Sequence, residues 1–130
     1  MFHYSLTPGF NDTDALGHIN NSKLPVWFEN AREPIFRIFT PDLDLLNWPL
    51  ILAKIEVNFL AQLYYGHHIE IKTAIASIGR SSFVVHHQAW QRDTLCAEGT
   101  AVMVNFDYHT QKSCPIPEVI KQQLEQHLLT

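Results

Sequence analysis

Carboxylates, a histidine and two amides are concentrated between Phe10 and Arg32, in a stretch that includes Asp14, His18 and Asn21. A carboxylate can attack a carbonyl carbon or activate water, and an imidazole can transfer a proton. Amide groups can donate hydrogen bonds to a carbonyl oxygen as it becomes negative. Such groups in one short segment predict that the chemistry of this chain takes place in this loop.

The same stretch leads into a predicted helix. Apolar residues recur three and four positions apart, as on the buried face of an amphipathic helix, at Leu24, Trp27, Phe28, Ala31, Ile35 and Ile38. Residue types that form turns and helix caps precede it, at Asp12, Asp14, Gly17, Asn20 and Asn21. A helix N-terminus carries unpaired backbone N–H groups and a partial positive charge, which stabilise an anion. The pattern predicts that the loop meets such an N-terminus.

Other elements must hold this loop and its helix in place. Residues 2–6 alternate between apolar and polar types and predict a first strand. Pro34 predicts that the helix kinks or ends near Glu33, because proline lacks a backbone donor. The connection 40–49 contains Leu45, Leu46 and Trp48, and we expect it to form a flap over an apolar surface.

From Leu50 to Tyr108 the apolar residues alternate with a period of two. Turns near Gly66, Gly79 and Asp93 divide this region into successive strands, which predicts an antiparallel meander. Residues 117–128 carry the apolar spacing of a C-terminal helix, which we place at the periphery. The predicted fold class is α+β, with an antiparallel sheet covered by one long helix.

Length, composition and charge exclude several classes of function. The 130 residues, 46% of them hydrophobic, predict a single domain over 1–130 with an ordinary core. A formal charge of −4 with nine Lys plus Arg argues against nucleic-acid binding. Neither a secretory leader nor a stretch of about 20 apolar residues is apparent, so we expect a cytoplasmic protein that does not span a membrane. Cys96 and Cys114 are expected to be reduced, although their spacing leaves a disulfide open.

No cofactor or metal site is indicated. His67 and His68 fall in a predicted turn, and His86 and His87 point to opposite faces of one strand, so neither pair has ligand spacing. No serine lies in a GxSxG sequence, which disfavours a serine-triad hydrolase.

The layout of strand, helix and meander resembles the hot-dog fold, and three local sequences make the resemblance specific. DTDALGHINN followed by FENAR is similar to the D-x-D-x-x-G-H-x-N-N and E-x-A-R signature of acyl-CoA thioesterases related to 4-hydroxybenzoyl-CoA thioesterase. IGRSS, residues 78–82, resembles that family's turn between two strands. The resemblance implies an acyl-CoA thioesterase that produces a free acid and coenzyme A.

The resemblance also assigns roles. Asp14 would be the nucleophile or general base, and the backbone N–H of Asn21 would bind the thioester oxygen. His18 would position water or polarise the carbonyl, and Glu29 is the second candidate carboxylate. Substrate and coenzyme A binding is assigned to Gly17, Arg80, Ser81 and Ser82.

Each assignment has a structural alternative. Asp14 would simply close an Asx-turn, and Asn20 and Asn21 would be N-caps. Glu29 would form an ion pair with Arg32 at i and i+3. The IGRSS segment would be an ordinary hairpin turn with a solvated Arg80.

Three departures from the family pattern concern the substrate. Leu24 stands where a tyrosine is common, Ala61 where a proline is usual, and His67 where an aspartate is usual. Two other functions therefore stay open: a hydratase or dehydratase of the same fold using His18, and a non-catalytic module that binds acyl thioesters. Coenzyme A and an acyl carrier protein both remain possible thioester carriers.

One helix cannot cover both faces of the predicted sheet or enclose a substrate. We therefore expect a homodimer in which edge strands pair across a two-fold axis, or a tetramer built from two such dimers.

Overall fold

The computed structural model describes residues 1–14 and 16–129. Strand β1 is Phe2–Leu6, helices α1 and α2 are Lys23–Ala31 and Glu33–Phe39, and helix α3 is Glu118–Glu125. The remaining strands are β2 (Leu50–Phe59), β3 (Ile69–Ile78), β4 (Ser82–Gln91), β5 (Thr94–Asp107) and β6 (Lys112–Ser113). Short 3₁₀ turns lie at Phe10–Asp12 and Leu45–Asn47.

The sheet has the order β1-β3-β4-β5-β2, and every neighbouring pair is antiparallel. The two-residue strand β6 pairs with the end of β5. Consecutive strands β3, β4 and β5 are neighbours, which confirms the predicted meander. Strands β1 and β2 form the two edges, so the strand that follows the helices lies farthest from the first strand.

The inward-facing residues of the sheet pack against α1 and α2. Leu24, Trp27 and Phe28 of α1 belong to one buried cluster with Ile69 and Ile71 of β3. A second cluster contains apolar residues from α2, α3 and the four strands β2 to β5, among them Ile35, Val85, Phe83, Met103 and Leu124. The apolar positions predicted for the helix and those predicted for the strands therefore form the two sides of one interface.

Gly99 permits the close contact between α1 and the sheet. A Cβ atom at this position would lie 3.2 Å from the Phe28 ring and would also collide with the Glu56 carbonyl oxygen. The missing side chain lets β5 pass directly beneath the helix.

The predicted single long helix is wrong in one respect, because the helix is broken at Arg32. Helix α1 ends at Ala31 and α2 begins at Glu33, with Pro34 in its first turn. Proline cannot donate the hydrogen bond that would continue α1, but it fits the first turn of α2, where backbone N–H groups have no partner within the helix. The break expected near Glu33 is therefore confirmed.

Two other predictions differ from the structure. The C-terminal helix is not peripheral, since Leu124 is fully buried and α3 packs on α2 and β3. The 40–49 connection does not act as a flap, because Leu46 is 94% exposed and Leu45 is exposed as well. Of the three apolar residues expected to form the flap, only Trp48 turns inward, with its ring 5.3 Å from that of Phe36.

An antiparallel sheet curled around the α1–α2 segment is the hot-dog architecture that the sequence predicts. Among the described residues, none of the helices is both long and apolar enough to cross a bilayer.

Candidate active site

The loop that precedes α1 is closed by Asp14. Its Oδ1 accepts hydrogen bonds from the backbone N–H groups of Leu16 at 2.9 Å and His18 at 3.3 Å. Its own N–H donates to the His18 carbonyl at 2.8 Å. Gly17 has φ +80°, a left-handed conformation that strains any residue with a side chain. The loop thus holds the exposed Asp14 carboxylate by one oxygen, and among the described residues Oδ2 has no hydrogen-bond partner.

Asp12 has a different environment from Asp14. Its carboxylate accepts from the N–H of Gly9 at 2.8 Å and lies 3.5 Å from the Lys23 ammonium group. Its carbonyl accepts from the Asn20 N–H at 2.8 Å. Asp12 therefore forms a turn and links it to the first residue of α1.

The backbone N–H of Asn21, just before α1, is a hydrogen-bond donor without a partner among the described residues. Ser22 is the N-cap residue, so the prediction that Asn20 and Asn21 cap the helix is wrong in position. Asn20 instead folds the preceding turn, with its side-chain oxygen 2.9 Å from the Ser22 nitrogen. Within residues 1–14 and 16–129, the backbone N–H of Asn21 has no acceptor. This donor therefore remains available to a ligand.

A pocket of about 210 Å³ opens directly beside Asn21. It lies between the start of α1 and the segment that follows β2, and its lining includes Ile19, Leu24, Phe59, Leu60 and Leu63. Its polar lining consists of the amide residues Asn20, Asn21 and Gln62. An uncharged, largely apolar group would fit here with its oxygen directed at the helix start.

Gln91 holds the segment 64–67, against which the loop that contains Asp14 and His18 rests. Its side-chain amide accepts from the Tyr64 N–H at 2.8 Å and donates to the carbonyls of Tyr64 at 2.9 Å and His67 at 3.1 Å. His18 forms an isolated β-bridge with Tyr64, and its ring packs edge-to-face on that tyrosine. The N–H of Ile19 donates to the Leu63 carbonyl at 2.9 Å. The end of β4 thereby fixes the position of His18.

Glu29 does not reach this pocket. It is exposed on α1 and lines a separate groove with Tyr4, Asn30, Glu33 and Phe36. The predicted ion pair with Arg32 is also wrong, because Arg32 is only 2% exposed and points into the sheet. The attraction of Glu29 still partly opposes the fall in the pKa of Arg32 that burial causes.

Arg32 belongs to a buried polar chain that crosses the core. Its Nη1 lies 3.2 Å from Nε2 of His87, and Nδ1 of His87 lies 2.9 Å from the Thr73 hydroxyl. Phe28 stacks on the His87 ring at 4.7 Å. Burial, followed by the Arg32 charge, lowers the pKa of His87 to about 3, so this imidazole is neutral at pH 7.

The structure separates the predicted coenzyme A residues from the loop. Arg80, Ser81 and Ser82 lie at the turn between β3 and β4, whereas Gln91 and the loop that contains Asp14 lie at the other end of β4. Nine steps along a strand correspond to about 30 Å. Asp14, Gly17 and His18 lie in the loop that leads to Asn21, but of these four residues only Asn21 lines the pocket. The IGRSS turn lies apart from this loop.

The sequence reasoning identified neither Gln91 nor the chain from Arg32 to Thr73. The available signal was weak: His87 and Gln91 are polar residues at inward-facing positions of β4, where Phe83, Val85 and Ala89 are apolar. A polar residue at an inward position indicates a buried hydrogen-bonding partner without identifying it. Among the described residues, no cluster of three or more His, Cys, Asp or Glu side chains is placed to bind a metal ion.

Comparison with known proteins assigns the chain to a family. Residues 8–124 match the model of the thioesterase-like superfamily. A predicted thioesterase from Bacillus stearothermophilus is 39% identical, with a TM-score of 0.96 over 99% of this chain and 97% of that one. A thioesterase from Thermus thermophilus, crystallised with coenzyme A and zinc, is 26% identical, with a TM-score of 0.86 over 96% and 92%. The uncharacterised protein YsmA of Bacillus subtilis is 23% identical over 86% of this chain and 77% of its own length.

Proposed function

Because this chain belongs to the thioesterase-like superfamily, we propose that it hydrolyses an acyl-CoA thioester to a free acid and coenzyme A. In this proposal Asp14 is the nucleophile or general base, and the backbone N–H at the start of α1 is part of the oxyanion hole. The single observation that carries the proposal is the Asn21 N–H, which has no acceptor among the described residues and lies beside the 210 Å³ pocket, at the end of the loop that contains the exposed Asp14.

The chemistry requires little more than these groups. The thioester oxygen accepts a hydrogen bond from the Asn21 N–H and lies near the positive end of the α1 dipole. As a base, Asp14 takes a proton from water, and the hydroxyl oxygen bonds to the carbonyl carbon. As a nucleophile, Asp14 forms an anhydride that water then cleaves. In both routes the carbon–sulfur bond breaks, and the thiolate leaves as coenzyme A.

His18 is proposed to position water or to polarise the carbonyl. Its ring is half-buried and packed against Tyr64, which fixes one edge of the imidazole. Its backbone N–H binds Asp14 Oδ1, so the two side chains belong to the same rigid turn. Glu29 is the weaker candidate, because its groove is separate from the pocket.

Arg80, with Ser81 and Ser82, is proposed to bind the phosphates of coenzyme A. Arg80 is exposed at a tight turn in which the Gly79 N–H donates to the Ser82 carbonyl at 2.7 Å. Binding remote from the carbonyl contributes similarly to the ground and transition states, so this contact is expected to affect KM more than kcat.

These assignments require a homodimer, which we also propose. One protomer holds Asp14 and Arg80 at opposite ends of its sheet, about 30 Å apart along β4. Edge strand β2 begins near the Arg80 end and finishes at the pocket. Antiparallel pairing of two β2 strands would place the Arg80 end of one protomer beside the pocket of its partner. A tetramer would add a second dimer without changing this site.

A panel of acyl-CoA thioesters tests the proposal, with free thiol and the acyl product measured in parallel. Hydrolysis releases coenzyme A in equal amount to the free acid. A hydratase or dehydratase would change the acyl chain without releasing thiol, and a binding module would do neither. Repeating the panel with acyl carrier protein thioesters distinguishes the two carriers.

A further inference from the structure

A second cavity, of about 280 Å³, lies at the Arg80 end of the molecule and takes no part in the site described above. It is formed where β2 begins and β5 ends. Its walls carry the aromatic rings of Trp48, Phe106 and Tyr108, together with His109 and the amides of Asn47 and Asn105. We call it the aromatic cleft.

The rings of the aromatic cleft are held in place by other rings. Phe106 and Tyr108 are in edge-to-face contact, with centroids 5.1 Å apart, and Trp48 makes the same kind of contact with Phe36 at 5.3 Å. Tyr108 nevertheless remains 49% exposed, and Leu46 on the rim is almost fully exposed. Part of this aromatic surface is therefore open to a ligand.

Positive charge adjoins the aromatic cleft. The Asn105 N–H donates to the Ser81 carbonyl, and the Ile116 N–H donates to the Arg80 carbonyl, each at 2.8 Å. Lys112 on β6 lies opposite Asp107 at the cleft wall. In the part of the chain that the structure describes, neither Arg80 nor Lys112 has a carboxylate within 4.0 Å.

We propose that the aromatic cleft binds the adenine ring of the coenzyme A thioester, with Arg80 and Lys112 on its phosphates. This inference depends on the proposed thioesterase function and deepens it. Aromatic side chains stack on the face of a purine, and amides can hydrogen-bond its edge. An aromatic surface next to two unpaired cations matches a ligand that joins a flat base to several phosphates.

The position of the aromatic cleft agrees with a site shared between subunits. Pro49, in its lining, directly precedes β2, whereas Phe59 at the end of β2 lines the reaction pocket. Antiparallel pairing of two β2 edges brings the aromatic cleft of one protomer toward the pocket of its partner. A thioester bound across the interface would then have its acyl end in one protomer and its nucleotide end in the other.

Kinetics with matched substrates test the cleft directly. Tyr108→Ala is expected to raise KM for acyl-CoA about tenfold, because it removes a stacking partner, with little change in kcat. KM for the same acyl group on pantetheine, which lacks the nucleotide, should not change. Tyr108→Phe keeps the ring and should behave as the unaltered protein. Lys112→Ala, at an exposed position, should show the same substrate dependence and replaces Tyr108→Ala if that variant does not fold.

Binding of adenosine 3′,5′-bisphosphate, measured by calorimetry, separates this inference from the proposed function. We expect binding that Tyr108→Ala weakens about tenfold. If no thioester is hydrolysed but Tyr108→Ala still weakens binding of the nucleotide, the cleft assignment stands and the hydrolase assignment fails. If thioesters are hydrolysed but the nucleotide binds equally well to Tyr108→Ala, the cleft assignment fails. The cleft assignment also fails if Tyr108→Ala raises KM equally for acyl-CoA and for the acyl-pantetheine. It fails as well if Leu46→Lys dissociates the protein into monomers, because the rim of the cleft would then be a subunit contact.

Discussion

Asp14 and Glu29 are both exposed carboxylates, but only Asp14 lies in the loop beside the helix start. Asp14→Asn preserves the oxygen that accepts from Leu16 and His18 while removing the charge and the basic group. Turnover should therefore fall by roughly two orders of magnitude or more, with the fold intact. Steady-state kinetics, together with circular dichroism of the variant, measures both properties.

Glu29→Gln is the matched control for Asp14→Asn. It makes the same chemical change on the outer surface of α1, so activity is expected to stay within a few-fold of the unaltered protein. The opposite result, with Asp14→Asn active and Glu29→Gln inactive in a folded protein, would transfer the catalytic role to the helix. If both variants are inactive, a double variant no worse than either one would show that the two carboxylates act together.

The buried, neutral His87 leads us to expect that the folded protein becomes less stable in acid. Its pKa is about 3 in the folded protein and near 6.5 when unfolded, so the folded protein favours the neutral imidazole. Between pH 6.5 and pH 3 the unfolded chain binds a proton here that the folded chain does not. The free energy of unfolding should therefore decrease as the pH falls below 6.5, by at most about 1.4 kcal/mol per pH unit from this group. Above pH 6.5 this residue adds no pH dependence.

Denaturation curves from pH 7 to pH 4.5 at fixed protein concentration measure this effect. His87→Gln should flatten the slope because glutamine does not titrate. An unchanged slope in His87→Gln would show that other groups cause the acid sensitivity.

At the scale of elements, the end of β4 determines the position of the loop that contains Asp14 and His18. Gln91→Leu leaves three backbone groups of Tyr64 and His67 without their partner and should cost about 1–3 kcal/mol of stability. Since Tyr64 supports His18, kcat should fall more than KM rises. Amide hydrogen exchange at residues 63–67, measured with the kinetics, should increase.

Gln88→Leu provides the comparison for Gln91→Leu. It makes the same substitution in the same strand, but Gln88 faces outward, and among the described residues its side chain bonds only to the Trp90 indole, which donates to it. Kinetic constants should remain near those of the unaltered protein. Equal kinetic defects in the two variants would mean that loss of stability, rather than the position of the loop, reduces turnover.

At the scale of the whole molecule, edge strand β2 exposes a row of apolar side chains. Ile55 is 42% exposed and Phe59 is 49% exposed, and Leu52 and Leu60 are exposed nearby. An unpaired apolar edge favours pairing with another strand. Ile55→Lys places a charge at this edge, so light scattering should show a shift from dimer to monomer, with loss of thioesterase activity.

Val119→Lys introduces the same charge on an exposed residue of α3, away from β2. It should change neither the molecular mass in solution nor the activity. A fully active monomer at micromolar concentration, in the unaltered protein or in Ile55→Lys, would contradict both the dimer and the shared site.

The amino-acid sequence alone determined the elements and the local site. Period-two and helical spacing define which side chains share a face, because side-chain direction repeats along the backbone. Pro34 likewise indicated the break after α1 through a property of one residue. The loop with Asp14, His18 and Asn21 was predictable because its contacts join residues close together in the chain.

Only the tertiary structure decided which distant residues meet. Arg32 and His87 are 55 positions apart, and Gln91 and Tyr64 are 27 apart, so no local pattern relates them. The order of the strands makes β2 an edge strand. The Arg80 turn lies at the end of β4 opposite the loop that contains Asp14. Strand neighbours are chosen by burial and hydrogen bonding over the whole sheet, which local spacing does not encode.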